Sequence, residues 1–323
     1  MTGEGSGCRG AFVGFGNIAL LGHLPALRGL GADMVAAVDI CEKRRRLAAE
    51  EGLAACESLE ELEGLDLDFI DICTPPSARY EPISFAVRRG LDVICEKPVA
   101  TPADFTRIRE LVMGSDIFFY PVHNWKHAPH YKKAKEMVEE NGGVLSLQMS
   151  TLRTGFSHGN PHWRPDWRVD PSVSGGGIIM DHGYHNIYLA MHLMGDDFQQ
   201  ALLEGVEYFE DRPHVERKAT FTLLFPGGRK ATINLDWGAQ RREIKNTIYE
   251  CNSQLELRDS QIINSDHAYE FEESLSGDSV HGSWFADVFR DFFRLRGSKE
   301  KSHFLEAMKV LQGIEDLYRQ ARG

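Results

Sequence analysis

The sequence predicts two α/β domains, the first wound on a parallel sheet and the second on an antiparallel one. Three observations carry this. Short apolar runs alternate with helical stretches up to about Pro121, the hydrophobic period switches to two after about Gly143, and 323 residues suffice for two domains of roughly 150. Each half is then long enough to bury a core without disulfides or a structural metal. The expected division is 1–122 and 123–323, with the last helix able to pack back on the first domain.

In the first half the apolar runs are residues 11–13, 34–38, 69–72, 93–95 and 117–120. They are too short for helices and suit strands buried on both faces. Helical stretches at 42–51, 78–89 and 103–113 lie between them. Strands alternating with helices imply a doubly wound parallel sheet joined by right-handed crossovers. After Gly143 the pattern alternates: Leu145, Leu147 and Met149, then Ala219, Phe221, Leu223 and Phe225, then Ala231, Ile233, Leu235 and Trp237. Pro226-Gly227-Gly228 forms the turn between the last two. Alternation of this kind means one buried and one wet face. Helical stretches at 283–294 and 304–319 close the sequence.

Composition excludes several function classes. The net charge is −12 with no basic stripe, which would repel a phosphate backbone, so nucleic acid is not an expected partner. No apolar run reaches the roughly 18 residues of a membrane span. Residues 1–10 are Gly-rich and lack the apolar core of a signal peptide. The six cysteines are scattered without a CxxC pair, and Cys73 and Cys95 sit where a thiol serves as a small apolar filler. A reduced, cytoplasmic protein is expected.

Gly14-Phe15-Gly16-Asn17-Ile18-Ala19 follows the first strand and opens a helical pattern. It is G-x-G-x-x-A, a variant of the dinucleotide fingerprint of Rossmann domains. Gly14 allows the tight turn, Gly16 lets backbone approach a pyrophosphate, and Ala19 permits close helix–strand packing. The helix start would offer its N–H groups to the phosphates. Pro25 is expected to restart the helix as its first residue. Asp39 ends the second strand 23 residues after Gly16, near the position of a ribose-binding carboxylate. Such a carboxylate repels a 2′-phosphate, so NAD is preferred to NADP. The bland alternative makes Asp39 a cap for the helix near Cys41. The run Lys43-Arg44-Arg45-Arg46 reads as a solvated helix face, although one of its cations could receive a 2′-phosphate.

Thr74-Pro75-Pro76, Glu96-Lys97-Pro98 and the run Gly175-Gly176-Gly177-Ile178-Ile179-Met180-Asp181-His182-Gly183-Tyr184-His185 complete a pattern. In this order and spacing the chain resembles, over nearly its whole length, the glucose–fructose oxidoreductase, inositol 2-dehydrogenase and rhizopine-catabolism (Gfo/Idh/MocA) family. The resemblance implies an N-terminal Rossmann dinucleotide-binding domain. It also implies a C-terminal α/β domain with a large, open, mostly antiparallel sheet for substrate binding and oligomerisation. The implied activity is hydride transfer between NAD(P) and a secondary alcohol of a sugar, cyclitol or nucleotide sugar, and a homodimer or homotetramer is implied. The implied catalytic trio is Lys97, Asp181 and His185, with Lys97–Pro98 cis. Cofactor contacts are expected from Gly14, Phe15, Gly16, Asn17, Ile18, Asp39, Thr74, Pro75, Pro76, Glu96, Lys97 and Asn124. Three positions depart from the family pattern. Arg79 stands where a His is frequent, Asn124-Trp125-Lys126-His127 replaces Asn-x-x-Arg, and Tyr188 takes the place of an Asp three residues after the catalytic His.

The chemistry agrees with this reading. Removing a hydroxyl proton while hydride leaves the carbon wants a base near neutrality, and imidazole fits. His185 is the candidate base. Asp181, four residues earlier, would share its helical face, orienting substrate or raising its basicity. Lys97 would stabilise the developing alkoxide. Alone, Lys97 reads as a loop cation, His185 as a core histidine and Asp181 as a cap; as a matched trio they read as a site. The segment His162-Trp163-Arg164-Pro165-Asp166-Trp167-Arg168 mixes aromatic faces and cations suited to a sugar ring with an anionic group; the other reading is a surface loop packed by its own tryptophans. Trp163, Arg164, Trp167, Arg168 and His182 therefore join Lys97, Asp181 and His185 as expected substrate contacts. This tips the substrate toward a nucleotide sugar. No metal is expected, since His158 and His162 flank Gly159-Asn160-Pro161, which holds no helix, and no zinc motif occurs. Two other readings stand beside this one: an NAD-dependent glycoside hydrolase using transient oxidation, and a non-catalytic dinucleotide-binding regulator.

Overall fold

A computed structural model describes residues 4–161, 163–251, 253–265, 267–277, 282–298 and 300–322. It contains two compact units. One comprises Met1–Asn124, His158–Trp167 and Val280–Met308; the other comprises Trp125–Ser157, Arg168–Ser279 and Lys309–Gly323. His162, named above with His158, lies outside the described residues.

The first unit holds six parallel strands: β1 (Arg9–Val13), β2 (Asp33–Val38), β3 (Ala54–Cys56), β4 (Phe69–Ile72), β5 (Asp92–Cys95) and β6 (Phe119–Pro121). Their order, β3-β2-β1-β4-β5-β6, reverses direction at β1, the doubly wound arrangement. Five strands coincide with the apolar runs. No apolar run announces β3, because Ala54 and Ala55 are exposed and only Cys56 is buried. The helix Gly282–Leu295 belongs to this unit despite its place late in the sequence. Its Phe285, Phe289, Phe292 and Phe293 join the core around Phe12, Phe69 and Phe118. Phe69 contacts Phe292 and Phe293 at ring centroids 5.5 and 5.7 Å apart.

The helix after the fingerprint differs from expectation. Residues Ala19–His23 form a π-helical turn, closed by the Leu24 N–H on the Ala19 carbonyl, and the α-helix Leu24–Gly29 begins one residue before Pro25. Proline has no N–H to continue the ladder, and the wider turn absorbs the break. The turn places His23 inward, fully buried.

The second unit is an eight-stranded sheet. Its strands are β7 (Ser146–Leu152), β8 (Gln200–Tyr208), β9 (Glu216–Leu224), β10 (Lys230–Asp236), β11 (Glu243–Tyr249), β12 (Gln254–Arg258), β13 (Gln261–Ile263) and β14 (Ala268–Glu270). The order is β14-β13-β12-β11-β7-β10-β9-β8, antiparallel except for the β10–β7 pair. The β9–β10 turn falls at Pro226–Gly228 as expected, with φ +74° at Gly227 and +75° at Gly228. One face is buried: Ala219, Phe221, Leu223, Ala231, Ile233, Leu235 and Trp237 are all at most 1% exposed. Leu145 departs from the pattern. It precedes β7 and is 48% exposed, whereas Leu147 and Met149 are buried.

Glu216, at the start of β9, fixes the entry to the helix Tyr184–Met194. Its Oε1 accepts hydrogen bonds from the Gly177 N–H at 2.8 Å, the Ile179 N–H at 3.1 Å and the Tyr318 hydroxyl at 2.6 Å. The glycines are required by this closeness. A Cβ at Gly176 would lie 1.8 Å from the Tyr318 hydroxyl, and one at Gly177 would lie 2.4 Å from the Glu216 carbonyl oxygen. Burial pushes the Glu216 carboxyl upward, against the donors that favour its ionised form.

A raised carboxyl contributes stability that is fully present below its ordinary value near 4.5 and is lost as pH rises through its folded value. Glu216→Gln keeps an acceptor but cannot ionise, so its melting temperature should gain on the wild type as pH rises from about 4 to about 8. A difference that stays flat over that range would contradict the assignment. Glu216→Ala strands three donors and should cost about 3 kcal/mol or more at every pH.

Candidate functional site

The site residues of the first unit gather where β1 gives way to its neighbours. Gly14 has φ +87°, and a Cβ there would meet the Thr74 N–H 2.9 Å away, so only glycine passes. The Gly14 N–H is held by the Val38 carbonyl. Asp39 ties the turn together: Oδ2 accepts from the Phe15 N–H and Oδ1 from the Cys41 N–H, both at 2.8 Å. It thus braces the chain entering the next helix without capping it, because Cys41 is the N-cap. Arg44 corrects the solvated-face reading of the cation run. It is 6% exposed and donates to the Phe15 carbonyl and to Asn17 Oδ1 at 2.7 and 2.8 Å. Arg45 holds the Asp39 carbonyl, and Arg46 does face outward, paired with Glu42.

These residues fit a dinucleotide. A Cβ at Gly16 would meet nothing within 4 Å, so the turn leaves open space beside its backbone. Each Asp39 oxygen has a lone pair beyond its one backbone bond. Gly14 to Ile18 would cradle the pyrophosphate and Asp39 the adenine ribose.

The loops after β4 and β5 are bound to one another. Arg79, 2% exposed, donates Nε and Nη2 to the Thr74 carbonyl, Nη1 to the Glu96 carbonyl and Nη2 to the Lys97 carbonyl. The sequence marked this position only as a departure; its role is to lace the Thr74-Pro75-Pro76 and Glu96-Lys97-Pro98 segments together. The Lys97–Pro98 peptide is cis. Glu96 Oε2 accepts the Lys97 N–H at 3.0 Å, while Oε1 faces His23 Nε2 at 3.1 Å. His23 Nδ1 lies 2.8 Å from Asp71 Oδ2, and the Cys73 thiol donates to Asp71 Oδ1 at 3.5 Å. Among the described residues, His23, Asp71 and Cys73 are the one His/Cys/acid group within metal-ligand reach, and these hydrogen bonds occupy their donor atoms.

The same core controls protonation. Burial alone would push the His23 imidazole down, but Asp71, with support from Cys73, holds it well above its ordinary value of 6.5. Burial likewise works to raise Glu96, yet the hydrogen bond and charge of His23, then Lys97 and Arg79, hold it low. The Cys73 and Cys95 thiols are pushed up by burial, Cys95 to about 12, consistent with inert thiols.

Asn124 ends this unit's first segment, and the loop His158–Trp167 also belongs to it. In that loop Arg164, with φ +37°, lies over the Trp163 ring at 5.9 Å, and Gly159 lies tight against Trp167.

In the second unit the Gly175 to His185 run forms a second π-helical turn, Ile179–Gly183, followed by the helix Tyr184–Met194. Asp181 and His182 sit on the turn. Asp181 Oδ2 is 3.3 Å from His182 Nδ1 and 3.8 Å from Arg168 Nε, and Arg168 also donates to the Ser157 carbonyl. His185 is 6% exposed and lies against the Trp125 ring, with centroids 4.7 Å apart and planes 21° from parallel. Its Nδ1 is 2.6 Å from the Tyr188 hydroxyl, which also accepts from the Trp125 N–H at 3.3 Å. The expected carboxylate support for His185 is thus supplied by a phenol, at the position noted as a departure. Asn186 pins the turn by donating to the His182 carbonyl and to Thr151. Sequence reading missed Glu216 and Tyr318; the only signal was three consecutive glycines where a helix begins.

Residues 8–116 match the model of an oxidoreductase family with an NAD-binding Rossmann fold, and residues 131–255 match a Gfo/Idh/MocA C-terminal domain. The chain is 27% identical over 158 residues to a levoglucosan dehydrogenase of Pseudarthrobacter phenanthrenivorans, covering 48% of this chain and 40% of that one. It is 25% identical over 205 residues to a myo-inositol 2-dehydrogenase of Thermotoga maritima, covering 60% and 57%. The chain spans about half the length of the curated relatives it matches. A levoglucosan dehydrogenase crystallised with NADH superposes with a TM-score of 0.82 at 18% identity, covering 98% of this chain and 97% of that one. A 3-ketoreductase from Actinomadura kijaniata in complex with NADP and TDP-benzene superposes at 0.77 and 20% identity, covering 97% of each. Such identities show a shared fold. With the two family models together matching residues 8–116 and 131–255, well over half of the chain, it belongs to the Gfo/Idh/MocA family.

Proposed function

We propose that this protein is an NAD(P)-dependent oxidoreductase that moves a hydride between the cofactor and a secondary alcohol of a sugar-like substrate. The observation that carries the reading is His185, buried on its helix with Nδ1 fixed by Tyr188 at 2.6 Å. In the tautomer that carries its proton on Nδ1 and donates it to the phenol oxygen, Nε2 is the nitrogen that exchanges a proton with a hydroxyl. The stacked Trp125 ring holds the imidazole plane. Asp181, held by Arg168 and His182, orients the substrate hydroxyls, and the Lys97 ammonium stabilises alkoxide character as the proton leaves. A bound nicotinamide dinucleotide supplies the hydride acceptor or donor.

NAD is the preferred cofactor. Asp39 opposes a 2′-phosphate, and Arg44 is committed to Phe15 and Asn17. Among substrates, a nucleotide-linked or otherwise anionic sugar is favoured over a free sugar or cyclitol. Support comes from the cations and indoles of Trp163, Arg164, Trp167 and Arg168. The levoglucosan dehydrogenase and the TDP-bound ketoreductase among the relatives represent the two sides of that choice. Assembly through the outer face of the eight-stranded sheet is proposed as well. That face carries laterally bonded pairs, Thr222 with Thr232 and Thr220 with Asn234, suited to a self-complementary surface.

A thermal-shift panel of nucleotide sugars, sugars and inositols, run with NAD and with NADP, reads both preferences by mass action. Larger shifts with NADP would overturn the Asp39 argument, and shifts confined to free sugars or inositols would overturn the anionic-substrate reading. Release of free sugar from a glycoside with no net change in cofactor absorbance would replace dehydrogenation with hydrolysis.

His185→Asn should bind cofactor normally and lose about 10² to 10⁴ in turnover, together with the acid limb of the pH–rate profile. Lys97→Ala should lose at least as much. A folded His185→Asn enzyme with wild-type turnover removes His185 from the mechanism; an acid limb that survives there but vanishes in Lys97→Ala moves the base to Lys97.

Light scattering at micromolar concentration should give a multiple of the 36.4 kDa chain mass. A monomer would sink the oligomer.

A further inference from the structure

We propose that His23, bridging Asp71 and Glu96 in the interior of the first unit, is a positioning residue for Lys97. The connection is continuous. Asp71 Oδ2 meets His23 Nδ1 at 2.8 Å, His23 Nε2 meets Glu96 Oε1 at 3.1 Å, and Glu96 Oε2 holds the Lys97 N–H at 3.0 Å. His23 and Asp71 are fully buried, and the Glu96 side chain is 12% exposed.

Both ring nitrogens face carboxylate oxygens at hydrogen-bond distance. A neutral imidazole has one N–H and one lone pair, so one of the two contacts would set lone pair against lone pair. An imidazolium donates to both. The charges then balance locally: His23 and Arg79 positive, Asp71 and Glu96 negative, with the Cys73 thiol donating to Asp71. The Cys73 sulfur also lies 3.4 Å from His23 Nδ1, and among the described residues the rings of Phe285 and Phe289 pack against the imidazole at centroids 4.7 and 4.9 Å away. Those apolar walls exclude water, which would otherwise compete for the two bonds, and burial strengthens them.

The consequence is directional. While His23 is charged, Glu96 is held at one oxygen and Lys97 at the other, so the Lys97 backbone has one position. Losing the proton removes the donor on one side, frees Glu96 to turn, and loosens the segment around Lys97. Because the folded imidazole is held above its ordinary value, the lock is complete below about pH 6.5 and is released as pH rises through the folded value. The significance of this positioning rests on the proposed role of Lys97, but its structural test does not.

The test is amide hydrogen exchange on the full chain, corrected for intrinsic rates, in wild type and in His23→Gln, which cannot carry the charge. Exchange across residues 94–99 should rise at least about tenfold in His23→Gln with β2 and the helix Glu42–Glu50 unchanged. In wild type the same segment should stay protected below about pH 6.5 and loosen as pH rises through the raised value of the folded imidazole, and in His23→Gln that pH dependence should vanish. A folded His23→Gln protein with wild-type protection at 94–99, or with the pH dependence intact, overturns the proposal. If His23→Gln does not fold, Glu96→Gln decides, since it keeps the His23–Asp71 pair. Loosening confined to 94–99 then supports the lock, and unchanged protection overturns it. No turnover enters these readouts. A fully active Lys97→Ala enzyme would remove the catalytic reading and leave the lock standing.

Discussion

Every loop leaving the carboxyl end of a parallel strand must satisfy its backbone groups without the ladder that served it inside the sheet. In this protein that constraint is met by a few charged side chains pulled into the interior. Asp39 takes the N–H groups of Phe15 and Cys41, Arg44 takes the Phe15 carbonyl, and Arg79 takes the carbonyls of Thr74, Glu96 and Lys97. The loops after β1 and β2 are therefore bonded to one another, as are those after β4 and β5, and His23, in the turn after β1, joins the two pairs through Glu96. Buried charge is costly unless paired, and here it is paired with backbone dipoles and with the opposite charges of the His23 cluster. The residues proposed to receive a dinucleotide thus also shape the turns that would hold it.

The second unit solves a related problem with closeness instead of charge pairing. A glycine run lets Glu216 and Tyr318 approach the backbone, and the carboxylate collects the donors that begin the π-helical turn. That turn then carries Asp181 and His182, and its successor helix carries His185. Both units place a π-helical turn beside a buried histidine: His23 ends one, and His185 follows the other. An inserted residue re-aims a side chain that a regular helix would present one position away, a use such turns commonly have.

The partner of His185 bears on its chemistry. A carboxylate at that distance would raise imidazole basicity through its charge, whereas the Tyr188 phenol fixes the ring orientation while adding no charge. Within its own unit the ring meets the Tyr188 hydroxyl and the Trp125 face, and the Trp125 N–H steadies that hydroxyl.

The sequence by itself determined that one sheet is parallel and the other mostly antiparallel, and it marked β1, β2, β4 to β7, β9 and β10, because hydrophobic period and run length report directly on which faces are buried. Phe69–Ile72 and the alternation from Ala219 to Trp237 needed no further information. It determined the Gly14 turn as well, since a tight turn after a buried strand restricts residue type locally. Local pattern did not reveal β3, whose edge position leaves two alanines exposed, the strands β8 and β11 to β14 of the second sheet, or the π-helical turn that displaced the expected start at Pro25. Nor did it reveal which members of a charge run turn inward. Arg44 and Arg46 are two residues apart on one helix, yet one braces the fingerprint and the other faces solvent. Contacts between residues distant in sequence, such as His23 with Glu96, Gly177 with Glu216, and Phe69 with Phe292, were decided by the tertiary structure alone. Such contacts depend on which turns the packed elements bring together, and residue type within a short window carries no record of that.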